Sequence, residues 1–374
     1  MPPPVLHLIS TLEKAGGAQR LLLSILAGLP GYRHTVAVLT GALELRAEFE
    51  AIGTTVLDRR RRSWLDPFGV REIRRLVREG GFPLVHAHLS RAEIVGGLAV
   101  GPLPGVKLIL FKQNDDAWWK GPLLKRVHRR IVRRANRIVC TSDAVLAHFA
   151  ALEPGAKDKM LRIHNGVDVA GLRAAAGAAD RDAIRTSLGV PPGTPMLLSV
   201  GRLVQQKGHD VLLSAMTRPV LASTGAVLVL VGRGEHEDAL RTFASTSLPG
   251  RVVFAGVRSD VPALMAAADL VVMPSRWEGF GLVAAEAMTA GRAVIASRVS
   301  ALPEVVEDGV TGHLVPPDDA DALAASIASL LADAPRRERF GAAGRERVER
   351  LFTRERMNGE WLAEYERLLG TVAR

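Results

Sequence analysis

The sequence has 374 residues, 48% of them hydrophobic, which is too long for one compact core and too apolar for a disordered chain, so we expect two globular domains. It has one cysteine, Cys140, no run of about eighteen apolar residues, and no signal-peptide pattern in MPPPVLHLIS, so we expect a cytoplasmic protein without transmembrane helices or disulfides. The net charge of +10 comes with no zinc-binding spacing and only 5% aromatic residues, which argues against a nucleic-acid partner.

In the first half of the chain, short β-rich runs alternate with longer helical patterns. The apolar runs are residues 5–9, 35–39, 55–57, 84–86, 108–111 and 137–140. Patterns of helical period, such as 18–29 and 67–78, lie between them, and this alternation predicts βαβ units around a parallel sheet. Gly16 and Gly17 follow the first run, where backbone N–H groups could approach an anion, although a plain tight turn fits equally well.

Near residue 170 the pattern lapses into AGLRAAAGAADRDA and then VPPGTP, so we place the boundary between domains 1–175 and 176–352 here. The alternation then restarts and predicts a second doubly wound unit. Its apolar runs are residues 196–200, 227–231, 252–254, 270–273 and 293–296. Apolar residues at helical spacing in the tail predict a carboxy-terminal helix, 353–374, that packs back on the amino-terminal domain.

The segment SVGRLVQQKGHD follows the run 196–200 and carries two cations. Arg202 and Lys207 lie in a loop, bounded by Gly201 and Gly208, that opens a helix. Two cations at the carboxyl end of a strand, beside a helix N-terminus, suit a phosphate group. A pair of solvated loop cations is the plain alternative.

The segment RWEGFGLVAAE follows the run 270–273 and carries two acids. Glu278 falls in a loop, whereas Glu286 falls in the second turn of a helix that begins near Gly281. The N–H groups of the first turn would face an anion. Carboxylates on either side of a phosphate site are better suited to accept from hydroxyl groups. The two segments together therefore indicate a ligand with a central diphosphate and a polyol at each end, which is a nucleotide sugar.

In their order and spacing, the motifs of this chain resemble those of the family 4 retaining glycosyltransferases. The resemblance covers nearly the whole chain and is strongest over residues 199–315. It rests on Gly16-Gly17, His86-Ala-His88, Asn165-Gly166-Val167-Asp168, Gly201-Arg202 with Lys207-Gly208, the pair Glu278 and Glu286, and Leu302-Pro303-Glu304. It implies the α/β GT-B fold, in which two doubly wound Rossmann-like domains face each other across a cleft, the first binding the acceptor and the second the donor.

The resemblance also implies a role for each residue of the donor site. Arg202 and Lys207 would hold the diphosphate and neutralise the departing nucleotide, and Glu278, which completes the catalytic set, would contact the donor sugar. Glu286 would accept from the ribose hydroxyls. Further donor contacts are implied for Gly16, Gly17, Val257, Arg258, Gly279, Phe280, Gly281 and Leu282, with Val257 and Arg258 flanking the base.

The segment LILFKQNDD departs from the family pattern. Gln113 stands where many relatives have a histidine near the reacting sugar. A glutamine side chain can donate a hydrogen bond to a hydroxyl group, but it stays uncharged near pH 7. We therefore expect Gln113 to orient the acceptor. His86 and His88, at alternate positions of a strand, face the same side, and His88, nearer the mouth, is expected to line the acceptor site.

A retaining reaction without metal or other cofactor is what the resemblance implies. No D-x-D element follows a strand in the cleft, and Asp115-Asp116 and Asp318-Asp319 are interpreted as solvated. The donor would be a UDP- or GDP-sugar and the acceptor a sugar or lipid-linked hydroxyl, in the synthesis of cell-envelope polysaccharide or glycolipid. Two alternatives stay open: a sugar-nucleotide epimerase of the same architecture, and a non-catalytic nucleotide-sugar-binding subunit.

The positive charge is concentrated in the first half of the chain. Residues 1–175 hold 27 Lys and Arg against 15 Asp and Glu, which leaves 22 of the 49 cations and 24 of the 39 acids for the remainder. The excess lies notably in residues 59–62 and in the basic series 125–137. A basic acceptor domain indicates an anionic acceptor, or peripheral attachment to the anionic inner face of the cell membrane. A solvated basic surface is the alternative.

Overall fold

The computed structural model describes residues 2–14, 16–60, 66–114 and 121–370, and the chain divides into two compact units. Unit 1 comprises residues 1–166 and 354–374, and unit 2 comprises residues 167–353. Unit 2 begins at Val167 because its N–H donates to the carbonyl of Phe352 (2.9 Å) and its backbone pairs with Thr353. The expected boundary after residue 175 therefore falls inside a helix of unit 2.

Unit 1 is a parallel sheet of seven strands with helices on both faces. Its strands are β1 (Pro4–Ile9), β2 (Arg33–Val38), β3 (Thr55–Asp58), β4 (Leu84–His88), β5 (Lys107–Lys112), β6 (Arg137–Cys140) and β7 (Met160–Arg162). Its helices are α1 (Gly17–Ala27), α2 (Arg46–Ala51), α3 (Pro67–Glu79), α4 (Ser90–Val100), α5 (Pro122–Arg134) and α6 (Asp143–Leu152), followed by a 3-10 turn (Pro154–Lys159). The strand order is β3-β2-β1-β4-β5-β6-β7, so the direction of winding reverses between β1 and β4.

Unit 2 is a second parallel sheet, of six strands in the order β10-β9-β8-β11-β12-β13. Its strands are β8 (Met196–Val200), β9 (Val227–Val231), β10 (Val252–Gly256), β11 (Leu270–Met273), β12 (Val294–Ser297) and β13 (Gly312–Val315). Its helices are α7 (Val169–Gly177), α8 (Arg181–Ser187), α9 (His209–Met216), α10 (Pro219–Ala222), α11 (Glu237–Ser247), α12 (Val261–Ala267), α13 (Leu282–Thr289), α14 (Leu302–Val305), α15 (Ala320–Ala332) and α16 (Ala334–Leu351). A 3-10 turn (Gln205–Lys207) precedes α9.

Both sheets are covered on both faces, as parallel sheets require. In β8, Met196 and Leu198 belong to one hydrophobic cluster, whereas Leu197 between them belongs to the cluster on the opposite face. Near-continuous apolar strands such as VLVLV in β9 are the result. The predicted α/β architecture of two Rossmann-like units is confirmed.

The last helix, α17 (Arg354–Leu369), belongs to unit 1. Met357, Trp361 and Tyr365 are fully buried in a core cluster with residues of β1, β4 and β5. The Trp361 ring meets Phe111 of β5 edge to face at 5.0 Å. None of the helices in the described ranges combines the length and the apolar content that a membrane span needs.

Candidate functional site

In unit 2, the winding direction reverses between β8 and β11, which are neighbours in the sheet. Open α/β sheets bind ligands outside the carboxyl ends of their strands at this reversal. Here those ends continue into residues 201–208 after β8 and residues 274–281 after β11. Arg202, Lys207 and Glu278, the three predicted catalytic residues, all lie in these two loops.

Glycines let the backbone of these loops pack closely. Gly208 has φ +62°, and a Cβ at this position would lie 2.0 Å from the carbonyl oxygen of Pro274 in the other loop. A Cβ on Gly232, after β9, would lie 1.9 Å from the carbonyl oxygen of Gly201. Any side chain at either position would force the backbones apart, so the glycines set the spacing of the site.

Lys207 and Glu278 form an ion pair across the two loops. The lysine Nζ donates to Oε1 of Glu278 at 2.5 Å, and the same oxygen accepts from the hydroxyl of Ser275 at 2.8 Å. The lysine side chain is 19% exposed and the glutamate side chain 9%. The structure thus brings together Lys207, predicted to contact the diphosphate, and Glu278, predicted to contact the sugar, and the two side chains hold each other in place.

Arg202 is exposed and has a neutral partner. Its Nη2 donates to Oε1 of Gln206 at 3.3 Å, and Nε2 of Gln206 donates to the carbonyl of Trp277 at 3.0 Å. The amide of Gln206 therefore links the cationic loop to the acidic loop, which keeps the Arg202 side chain on the same edge of the sheet as Lys207.

Arg276 links the loop after β11 to the loop after β8 and to the start of α9. Its role was not predicted from the sequence. It makes two hydrogen bonds to the carboxylate of Asp210 (3.0 and 2.7 Å), one to Asp318 (2.8 Å) and one to the carbonyl of Gln205 (2.7 Å). Burial opposes ionisation of Asp210, but the hydrogen bonds and charge of Arg276 outweigh it and lower the pKa of that carboxyl group. An arginine beside the glycine-rich turn was the available signal.

The acid pair Asp318-Asp319 is not simply solvated, which corrects the expectation from sequence. Asp318 pairs with Arg276, and Asp319 caps α15 by accepting from the N–H of Ala322 at 2.8 Å. The other acid pair, Asp115-Asp116, lies outside the described residues.

Two helices begin at this edge of the sheet. Gly208 precedes α9 and Gly281 (φ +98°) precedes α13, and neither glycine has a side chain to cap the first turn. Helix N-termini of this kind attract anions. Leu282 and the half-buried Glu286 belong to α13, whereas Gly279 and Phe280 lie just before Gly281. The Phe280 ring packs edge to face on Phe352 at 5.3 Å, so only its backbone can serve a ligand.

Val257 and Arg258 follow β10, two strands from β8 on the same edge. Val257 is 53% exposed. The Arg258 guanidinium makes hydrogen bonds to both carboxylate oxygens of Asp260, at 2.8 and 2.6 Å, which lowers the pKa of that acid. The structure therefore places the predicted base-flanking residues on the predicted edge, with the arginine already paired.

In unit 1, the reversal of winding lies between β1 and β4, and two predicted features flank it. Gly16 and Gly17 stand at the start of α1, after β1. His88 ends β4 and is fully buried, so it does not lie at the mouth as expected. Burial lowers the pKa of His88 to about 3, so its imidazole is neutral at pH 7.

His88 belongs to a hydrogen-bonded cluster of buried histidines. His7 Nδ1 lies 3.1 Å from His88 Nε2, His7 Nε2 lies 3.1 Å from His34 Nδ1, and His34 Nε2 lies 3.0 Å from the carbonyl oxygen of Leu29. The carbonyl can only accept, so each ring can donate from Nε2 and accept at Nδ1. His86 joins the cluster from β4, with its Nδ1 2.7 Å from the Tyr365 hydroxyl. Nitrogens of His7, His86 and His88 approach within 4.8 Å of one another, as in metal sites, but His7 already uses both of its nitrogens.

Gln113 follows β5, half-buried, and its buried Nε2 makes no hydrogen bond within the described part of the chain. The preceding residue, Lys112, is buried and pairs with Glu93 of α4 and with Nε2 of His128 (3.2 Å). Burial raises the pKa of Glu93 although the charge of Lys112 opposes the rise. This buried polar group was missed, although a lysine ending the apolar run LILFK was a signal.

The basic series 125–137 is divided by the structure. Lys125, Arg126, Arg129, Arg130, Arg133 and Arg134 are exposed on α5. Arg137 lies instead in β6 and pairs with Glu364 of α17 at 2.8 Å, so it is not part of the helical face. Of the run 59–62, Arg59 pairs with Glu72 and Arg60 with Asp58, while residues 61 and 62 lie outside the described ranges.

Comparisons with known proteins match both units. The sequence profile of the glycosyl transferases group 1 matches residues 180–347, and that of glycosyltransferase family 4 matches residues 15–170. The phosphatidyl-myo-inositol mannosyltransferase of Mycolicibacterium smegmatis is 34% identical over 289 residues, which cover 75% of this chain and 70% of that protein. The D-inositol 3-phosphate glycosyltransferase of Mycobacterium marinum is 31% identical over 315 residues, covering 78% of this chain and 65% of that protein, so the chain spans less than two thirds of this relative.

Solved structures match the fold over nearly the whole chain. Anabaena HepE, in complex with UDP and glucose, has a TM-score of 0.84 with 24% identity, covering 97% of this chain and 99% of that one. WaaG, a glycosyltransferase involved in lipopolysaccharide biosynthesis, has a TM-score of 0.77 with 18% identity, covering 98% and 100%. At these identities the likeness concerns the fold.

Proposed function

Because this chain belongs to the group 1, family 4 glycosyltransferases, we propose that it transfers a sugar from a UDP- or GDP-sugar to a hydroxyl acceptor with retention of the anomeric configuration. The observation that carries the proposal is the Lys207–Glu278 pair. It lies at the carboxyl ends of β8 and β11, beside the N-termini of α9 and α13. The lysine would hold a diphosphate, and the glutamate would hold the hydroxyl groups of a sugar.

On the donor side, the cations and helix N-termini would bind the diphosphate. Lys207 and Arg202 would each donate to phosphate oxygens, and the first turn of α13 would add backbone N–H groups. Oε1 of Glu278 accepts from both Lys207 and Ser275, which leaves its other oxygen to accept from a sugar hydroxyl. Glu286, half-buried in α13, would accept from the ribose, and exposed Val257 would cover the base.

The chemical step would depend on stabilising the departing phosphate. As the bond from sugar to phosphate breaks, negative charge grows on the leaving oxygen, and preorganised cations such as Arg202 and Lys207 stabilise that charge without a metal. The leaving oxygen would then take the proton of the acceptor hydroxyl on the same face of the sugar, which retains the configuration. Gln113 would orient the acceptor hydroxyl through the buried amide N–H that lacks a partner among described residues.

An anionic acceptor, or an anionic membrane that holds it, is proposed for unit 1. Six exposed cations lie on α5, beside Leu123, which is 75% exposed at the start of that helix. Each cation near an anionic bilayer contributes roughly 1 kcal/mol, and salt screens the effect. The names of two relatives support a phosphate-bearing acceptor, since one acts on phosphatidyl-myo-inositol and another on D-inositol 3-phosphate. Cell-envelope glycolipid or polysaccharide synthesis is the role that these features favour.

A two-step experiment tests the donor and the reaction. A thermal-shift screen of UDP- and GDP-sugars should identify one that raises the melting temperature. Turnover of that donor, followed by NMR of the product anomer, should then depend on an added hydroxyl acceptor and retain the configuration. Inversion would refute the proposed mechanism. A new nucleotide sugar formed without acceptor would indicate the epimerase, and binding without turnover for any acceptor would indicate the non-catalytic subunit.

Co-sedimentation with vesicles tests the membrane part. We expect binding to vesicles with anionic lipid at low salt, little binding to neutral vesicles, and release at high salt. A variant with Arg126, Arg129, Arg130 and Arg133 replaced by glutamine should lose the binding, whereas Arg339→Gln, which removes one exposed arginine of unit 2, should keep it. Equal binding to both kinds of vesicle, or none to either, would refute the membrane part. The positive charge of unit 1 would then be explained by a dissolved anionic acceptor.

A further inference from the structure

A cationic cavity lies in unit 2 at the amino ends of the strands whose carboxyl ends carry the candidate donor site. Its volume is about 510 Å³. Its walls are the residues just before β8, Asp269 just before β11, one side of α8, and residues at the end of α15 and the start of α16. The segment VPPGTP, which the sequence suggested as a linker, forms the part of the wall before β8.

The cavity has more guanidinium groups than its acids can neutralise. Arg181, Arg185 and Arg337 line it together with Asp182 and Asp269. Asp269 alone serves two of these arginines: it accepts from Arg181 at 2.5 Å and from Arg185 at 3.3 Å. The same carboxylate also accepts from the N–H of Met196 at 2.7 Å, so most of its capacity is used.

Further arginines lie behind this wall. Burial lowers the pKa of Arg292, and the charges of Arg181, Arg345 and Arg185 lower it further, against the opposing effect of Asp269. Its buried Nε makes no hydrogen bond with any described residue, and Nη2 of Arg345 reaches only the carbonyl of Ala290, at 3.4 Å. Five arginines and two aspartates leave an excess of three positive charges. Crowded cations of this kind are costly unless an anion joins them.

We propose that this cavity binds a small phosphate-bearing anion at a site separate from the donor site. Nη1 of Arg337 donates to the carbonyls of Leu330 and Leu331 (2.5 and 2.7 Å), and Nη2 of Arg181 donates to Asp269. The other N–H groups of these two guanidinium groups suit hydrogen bonds to phosphate oxygens. The volume falls within the range of about 300–1,000 Å³ that small-molecule sites occupy. Strand β8 has five residues, so at about 3.3 Å per residue the cavity and Lys207 lie at opposite ends of a rigid strand, roughly 16 Å long. The proposal does not depend on glycosyl transfer.

Isothermal titration calorimetry with inorganic phosphate, and separately with glucose 6-phosphate, tests the site at constant ionic strength. We expect a dissociation constant below about 1 mM for at least one of the two probes. Arg181→Gln removes a side chain that is 42% exposed, and Thr186→Glu places a negative charge on the exposed lining of α8. Each should weaken binding by about tenfold or more, since a charge-assisted contact is lost or opposed. Arg339→Gln, an exposed arginine of α16 outside the lining, should leave it unchanged.

Lys207→Ala separates this site from the donor site. Binding that survives Lys207→Ala and is lost in Arg181→Gln and Thr186→Glu supports the cavity. Binding that is lost in Lys207→Ala and kept in the other two variants would mean that the probe occupies the donor site, and would overturn the proposal. No binding of either probe up to about 10 mM would also overturn it.

Discussion

Replacing Lys207 by methionine tests whether its pair with Glu278 serves the reaction or only holds unit 2 together. The pair is 2.5 Å long, with side chains 19% and 9% exposed. At an effective dielectric constant of about 20, attraction over this distance is roughly 7 kcal/mol, most of which desolvation cancels. Removing one partner of a fully buried pair costs about 3–5 kcal/mol. Because the lysine keeps some exposure, we expect a loss of about 2–3 kcal/mol in the free energy of unfolding.

The matched variants are Glu278→Gln and the double variant Lys207→Met/Glu278→Gln. Glutamine keeps an oxygen that can accept from Ser275, so Glu278→Gln should be milder than Lys207→Met. The double variant leaves no buried charge unpaired and should recover most of the stability that Lys207→Met loses. Its kcat/KM should nevertheless stay about a hundredfold or more below wild type, because a lost contact to the leaving group costs roughly 3 kcal/mol.

Differential scanning calorimetry gives the stability of each variant, and initial rates at limiting donor give kcat/KM. The result that refutes the reasoning is a double variant whose kcat/KM returns together with its stability, since the pair would then be structural only. Near-normal kinetics in Lys207→Met would likewise remove the lysine from the phosphate site. Arg339→Gln, an exposed arginine of α16, serves as the control and should match wild type in both measurements.

Three further outcomes are expected. Activity should persist in excess EDTA, because the proposed cations are side chains; complete loss that Mg²⁺ or Mn²⁺ restores would contradict this. Gly208→Ala should lower the free energy of unfolding by more than about 2 kcal/mol and abolish activity, since its Cβ would lie 2.0 Å from the Pro274 carbonyl oxygen. Gly250→Ala, also at positive φ but with open space around it, should lower the free energy of unfolding by only about 1–2 kcal/mol. Equal losses in denaturant unfolding would disprove the steric account. Burial lowers the pKa of His7, His86 and His88, so the unfolded state binds more protons than the folded state at acidic pH. Unit 1 should therefore be most stable above a pH of about 6.5 and lose stability as the pH falls towards about 3, where His88 titrates in the folded state. Calorimetry that shows the same melting temperature at pH 7.5 and 5 would contradict the buried neutral cluster.

Most of the strands could be predicted because they are near-continuous apolar runs bounded by turn residues. The predicted run 227–231 coincides with β9, for example. β7, with three half-buried residues, and β13, with the sequence GHLV, were missed because neither has such a run. The start of unit 2 at Val167 was also missed, since it depends on pairing with Phe352 and Thr353, and no local pattern reveals a contact so distant in sequence.

The candidate site was predictable as loops but not as contacts. Loop residues such as Arg202 and Glu278 stand out because they follow apolar strands within glycine-rich turns. Their partners do not: Lys207 and Glu278 are 71 residues apart, and Asp210 and Arg276 are 66 apart. The sequence suggested that the two acids bind a ligand, whereas the structure shows that one of them also holds a cation. Pairings of this kind follow from strand order, which the sequence does not state.

These pairings rank the cations of the site. Lys207 is neutralised by Glu278, Arg276 by Asp210 and Asp318, and Arg258 by Asp260. In the described part of the chain, the hydrogen bond of Arg202 goes instead to the neutral amide of Gln206, at the long distance of 3.3 Å. A donor phosphate would have to compete with a carboxylate for Lys207 but only with an amide and water for Arg202. We therefore expect Arg202→Ala to lower kcat/KM by at least as much as Lys207→Ala, each by about a hundredfold or more, and to lower the melting temperature less, because no buried charge loses its partner. Measuring kcat/KM of both variants with one donor decides the ranking. A larger kinetic loss in Lys207→Ala, at equal stability, would show that the Glu278 carboxylate strengthens the contact between the lysine and the phosphate rather than competing with the phosphate for the lysine.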